Sequence, residues 1–110
     1  MMSSVLALIA AAGAFQASDT TRTAREAFTA CLRAYVDQSV RSGMNAATFE
    51  AEYPQQCSAQ ETAFREAVIR RDTAMRATRA NAEESARLEI EDARANFSDR
   101  FAAATTPRSQ

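Results

Sequence analysis

The stretch RRDTAMRATRANAEES, residues 70–85, decides how this chain folds. If it stays helical, a rod runs through it from Ser58 to Ala104. If it breaks, the chain turns back on itself. Residues 55–106 contain neither Gly nor Pro, the two residues that most often stop a helix. Apolar residues recur at steps of three and four through Phe64, Val68, Met75, Ala82, Ala86, Ile90, Ala93, Phe97, Phe101 and Ala104. Only Arg71 and Arg79 stand where that pattern asks for an apolar side chain. The 3-4-4 repeat has an 11-residue period and favours a straight or slightly right-handed path. The expectation is one continuous helix over 58–104, roughly 70 Å long at about 1.5 Å per residue. The competing reading takes Asn81-Ala-Glu-Glu84 as an N-cap with its box, which breaks the helix near residue 80 and closes a three-helix bundle.

Outward from this stretch, the chain reads as helix throughout. It has 110 residues, enough for one domain with a modest core. Ala, Glu and Arg are abundant, and Gly and Pro number two each. Acid-first pairs at i,i+4 support the C-terminal helix: Glu61–Arg65, Glu66–Arg70, Asp72–Arg76 and Glu83–Arg87. Upstream, Phe28, Cys31, Leu32, Tyr35, Val36 and Val40 mark one face of a first helix. Thr23-Ala-Arg-Glu26 has capping-box spacing at its start, and Gly43 stands where a left-handed residue would end it. Residues 44–53 form a short second helix capped by Asn45 and ended by Pro54. Ser58-Ala-Gln-Glu61 is a further capping box. The fold expected is all-α: a disulfide-linked helical hairpin with one long C-terminal helix.

The N-terminus suggests a compartment. VLALIAAAGAF, residues 5–15, is an uncharged apolar run too short to cross a bilayer, which needs about 20 residues. It fits the core of a secretory signal, with Ala12 and Ala14 as the small-x-small pair before Phe15. The division expected is a signal peptide over 1–17, a helical domain over 18–104 and a disordered tail over 105–110. MMSS carries no Lys or Arg, so the positive charge of that signal is only the terminal amine. A periplasmic or secreted location follows, with membrane contact only through an uncleaved N-terminal segment. In such a compartment Cys31 and Cys57 are expected to form a disulfide that staples the first helix to the start of the long one. The alternative is a thiol–disulfide role, since Cys57 precedes a helix N-terminus.

Chemistry is limited by inventory. There is no His and no Lys, so Ser-His, Cys-His and Ser-Lys schemes lack a partner. No metal site is expected with two cysteines and no His, and no cofactor loop rich in Gly is present. No catalytic residue is expected, and the carboxylates Glu83, Glu84, Glu91 and Asp92 read as a solvated face. The 13 basic residues are all Arg and face 14 acidic ones, a balance that argues against nucleic acid as a partner. A slender hairpin also offers little concavity for a small-molecule substrate.

Charge is unevenly laid out. Arg65, Arg70, Arg71, Arg76 and Arg79 make residues 65–79 basic, while Glu83, Glu84, Glu89, Glu91 and Asp92 make residues 83–92 acidic. Antiparallel copies would match the two blocks. The first helix, at about 30 Å, is too short to cover the long one. Met75, Ile90, Phe97 and Phe101 are therefore expected to form an uncovered interaction stripe, used for a homodimer or an envelope protein partner.

The segments CLRAYVDQSV, CSAQETAFREAVIRRDTAM and NAEESARLEIEDA resemble small exported helical proteins of alphaproteobacteria. The resemblance rests on a Cys in the first helix and a Cys just before an E-x-x-F-R helix, here Cys31, Cys57 and Glu61 to Arg65. It implies fold and compartment and carries no activity.

Overall fold

The computed structural model describes the backbone of residues 3–107 and the side chains of residues 19–107. The side chains of the expected export segment, Ala12, Ala14 and Phe15 among them, lie outside the described residues, as do Arg108 to Gln110.

The described chain is all-α: α1 (Ser3–Arg41), α2 (Ala46–Glu52), α3 (Ser58–Ala74) and α4 (Arg79–Thr105), with a 3-10 turn over Tyr53–Gln55. None of the described helices is long and apolar enough to cross a membrane. Cys31 and Cys57 form the expected disulfide, and α4 is the long C-terminal helix.

The continuous helix over 58–104 does not form. The chain breaks between α3 and α4, and the break is a Schellman motif. The Ala77 N–H donates to the Asp72 carbonyl at 2.9 Å and the Arg76 N–H to the Thr73 carbonyl at 3.0 Å. This motif needs a left-handed residue, and Arg76 supplies it with φ of 70°. Gly43 ends α1 by the same pair of bonds, Met44 to Ser39 and Gly43 to Val40, with φ of 71°. The restart after the break is capped by Thr78, whose hydroxyl accepts from the Asn81 N–H at 3.1 Å. The N-cap thus lies three residues before Asn81.

Other boundaries differ locally. Thr23 is interior to α1 and caps nothing, because the helix already runs through it from Ser3. Cys57 itself, at φ of 62°, is the N-cap residue of α3, so Ser58 is the first helical residue. Asn45 caps α2 as expected, accepting from the Thr48 N–H at 2.8 Å. The C-terminal helix extends through Thr105, whose hydroxyl donates to the Phe101 carbonyl, rather than giving way to a tail at 105.

The break turns a hairpin into a three-helix bundle. α3 runs antiparallel to α1, as the pairs Thr21 with Ala67, Phe28 with Phe64 and Cys31 with Cys57 show. α4 returns parallel to α1, pairing Arg25 with Glu89 and placing Arg33 over Phe97. One core results, from Phe28, Leu32, Val36, Phe64, Val68, Ile69, Ala82, Ala86, Ile90, Phe97 and Phe101. The short α2 closes its far end. Phe49 stacks on Phe101 with ring centroids 3.9 Å apart, and on Tyr53 at 4.7 Å.

A glycine relieves the left-handed strain that an L side chain carries, about 1–2 kcal/mol, less its own greater entropy cost. Arg76 is exposed, so no packing is lost with its side chain. Arg76→Gly is therefore expected to raise the melting temperature by about 3–6 °C. Thermal unfolding followed by circular dichroism checks this, and a lowered melting temperature contradicts the left-handed break.

Candidate functional site

The expected interaction stripe is not a surface. Ile90, Phe97 and Phe101 are 5%, 2% and 3% exposed. They are covered by α1, α3 and α2 because the chain reverses at Arg76. Of the four residues expected to dock a partner, only Met75 is open to solvent, at 72%, and it stands alone on the α3–α4 turn. The pairing of basic and acidic blocks is also partly spent within the chain. Arg71 reaches Glu89 at 3.0 Å and Arg79 reaches Glu83 at 2.9 Å. Glu61–Arg65 forms as expected at 3.2 Å. Arg87, in place of the expected Glu83, bonds Glu84 and Glu91.

Two sites are built from what remains. The first surrounds the disulfide. Cys31 lies on the core side of α1, and Cys57 sits at the start of α3 with its Cα 6.0 Å away. The backbone that delivers Cys57 is held by Arg94 from α4. The Arg94 guanidinium donates to the carbonyls of Tyr53 at 3.2 Å and Gln56 at 2.7 Å, and to the Glu61 carboxylate at 2.6 Å. It also lies over the rings of Phe28 and Tyr53, each at 5.4 Å. The Tyr53 hydroxyl returns the contact by donating to the Arg94 carbonyl at 2.7 Å. A planar fork of five donors suits this arrangement, and a lysine would not. Burial pushes the Tyr53 phenol above its ordinary range, with the Arg94 charge pulling the other way. Glu61, expected to close the capping box that Ser58 opens, bonds Arg94 and Arg65 instead.

A related clamp holds the other end of the bundle. Glu89 accepts from Arg25 of α1 at 2.7 Å and from Arg71 of α3 at 3.0 Å. Arg71 is the residue that stood in an apolar slot. It stays half-buried because Glu89 and Asp72 pair with it, and their charges raise its pKa against desolvation.

The second site is a groove of about 330 Å³ between α1 and α4. Val40 and Phe97 are among the apolar residues lining it, and Arg33, Arg41, Arg100 and Asp37 supply its charge. The guanidiniums of Arg33 and Arg100 lie over the Phe97 ring at 5.7 and 4.7 Å. All three arginines are exposed. None of them pairs with a carboxylate among the described residues, although Asp37 is one helical turn from both Arg33 and Arg41. No reading of the sequence had singled these arginines out. Their signal was the spacing of Arg33 and Arg41 with the apolar face of α1, and it becomes legible only once α4 lies beside that face.

Among the described residues no group of three or more His, Cys, Asp or Glu converges to hold a metal ion. The two paired clamps are structural in geometry: each charged group is satisfied by a partner on another helix. A scan of family models found no match, and neither the curated proteins nor the solved structures gave one.

Breaking the Arg94 node leaves the Tyr53 and Gln56 carbonyls without that donor, and Glu61 with Arg65 alone, in a site where Arg94 is 15% exposed. Arg94→Met is expected to cost about 3–5 kcal/mol, and Arg94→Lys about 2–3 kcal/mol because the charge stays and the fork is lost. Urea unfolding of the oxidised protein measures both, and a loss under about 1 kcal/mol for Arg94→Met contradicts the clamp.

Proposed function

We propose that this chain is a non-enzymatic exported helical protein that works by helix-to-helix contact with a protein partner. The disulfide is compatible with an oxidising compartment, which supports a periplasmic or secreted location for the folded form. The single observation that carries the contact role is the open groove between α1 and α4. The partly buried charges of the two clamps are matched within the bundle, yet Arg33, Arg41 and Arg100 bond no carboxylate among the described residues and stand around an apolar floor. Unpaired guanidiniums beside apolar surface are what a protein interface recruits.

A thiol–disulfide role draws on the position of Cys57 at the start of α3, where a thiol pKa is lowered. The staple is favoured instead, because Arg94 holds the Cys57 loop against α4 and the bond closes a 25-residue loop. Such a closure stabilises a fold by about 3–4 kcal/mol.

Two measurements on protein recovered from the cells that make it test this. Intact mass without reductant should show the loss of two hydrogens that a disulfide brings. Pull-down with the oxidised protein as bait should recover a protein, this chain itself included, and reduction should weaken recovery in step with lost helicity. A protein recovered fully reduced, or one that recovers no polypeptide at all, overturns the reading.

A further inference from the structure

The groove between α1 and α4 has a counterpart on the same chain. Leu88 is 47% exposed, one of two large apolar side chains that stand out to solvent among the described residues. Glu84, Glu91 and Asp92 flank it at one helical turn on either side. These residues form a knob on α4: an apolar side chain ringed by carboxylates. Arg87 neutralises part of that ring by bonding Glu84 and Glu91, and the remainder is acidic. The groove is its inverse, an apolar floor ringed by cations. Arg33 and Arg41 are eight residues apart on α1, so their backbones spread along about 12 Å of groove. That spread suits a helix carrying carboxylates a turn or two apart better than it suits one small anion.

The cations are not explained by the ends of the helices. Arg41 lies in the last turn of α1 and complements its C-terminal partial charge. Arg33 and Arg100 lie outside the last turns of α1 and α4, where that effect has faded. Both guanidiniums lie over the Phe97 ring, and no carboxylate among the described residues bonds their forked N–H donors, the geometry that suits a carboxylate from outside.

We propose that a second copy of this chain seats the Leu88 knob, with Glu84, Glu91 and Asp92, in the groove framed by Arg33, Arg41 and Arg100. This rests on the contact role proposed above and names the partner. Knob and groove cannot serve one reciprocal pair. Leu88 and Arg100, the exposed residue by which α4 frames the groove, are twelve residues apart and so point about 120° apart around α4. The contact is therefore head-to-tail, and each copy offers one knob and one groove, which builds open chains or rings rather than closed two-fold dimers.

Sedimentation of the oxidised protein over a range of concentrations tests this. The wild type is expected to associate beyond the dimer at low salt, and to weaken at least about tenfold as ionic strength rises to 0.5 M. R33A/R100A removes the groove's cations and E84A/L88A/E91A removes the knob, and each alone should be monomeric. Mixed in equal amounts, each keeps the half the other lacks, so they should form a dimer that grows no further. D37N removes the one carboxylate that lines the groove among the described residues and should tighten association about two- to fivefold. Circular dichroism confirms that the surface variants fold. A wild type that stays monomeric, or variants that associate like it, overturns the proposal. If the pull-down still recovers a different protein in that case, the contact role stands and only the second copy falls. If it recovers none, both fall.

Discussion

The whole arrangement depends on one backbone conformation, the left-handed Arg76. Without it the ladder of α3 runs on, and the residues after Thr78 leave the bundle. With it the α3 carbonyls of Asp72 and Thr73 find donors, Thr78 opens a new helix, and α4 comes back parallel to α1. The local cost is about 1–2 kcal/mol for a non-Gly residue in this region. The gain is burial of Ile90, Phe97 and Phe101, each of which contributes about 1.5–3 kcal/mol when fully removed from water. Packing outweighs the strain, so the chain turns without a glycine to permit it.

Once α4 lies against α1 and α3, polar contacts fix its register. Arg94 binds the Tyr53 and Gln56 carbonyls and Glu61 at one level, and Glu89 takes Arg25 and Arg71 at another. Both clamps join separate helices, so sliding α4 by one turn would leave partly buried charges unmatched. The disulfide sits at the first of these levels. It ties α1 to the loop that Arg94 holds, and so the covalent link and the guanidinium fork act on the same few residues.

Much of this was legible in the residues. Helix content, Asn45 as a cap and Gly43 as a terminator follow from local rules that the structure obeys, and the Cys31–Cys57 pairing follows from a chain with two cysteines expected in an oxidising compartment. The core stripe was also read correctly as a stripe, since Ala82, Ala86, Ile90, Phe97 and Phe101 do share one buried face. What covers that face was not legible. The rule that helices stop at Gly or Pro hid the Arg76 motif, which has the bonds of the Gly43 terminator and none of its composition. Thr78 was equally silent, because a lone threonine is a weak cap signal beside Asn81 with its box. The Arg94 and Glu89 clamps and the groove arginines depend on partners distant in sequence, which no local spacing reveals.

The groove, the knob and the closed core all follow from the return of α4, so that return is where a measurement bears hardest. Selective labelling of the phenylalanine rings and a nuclear Overhauser experiment on the oxidised protein read it directly. The bundle requires a strong cross-peak between the Phe49 and Phe101 rings, whose centroids are 3.9 Å apart. A helix running straight from Ser58 would carry Phe101 about 65 Å from its start, far beyond the reach of such a contact. A Phe49–Phe101 cross-peak is the expected result, and its absence in a folded, oxidised sample would contradict the bundle.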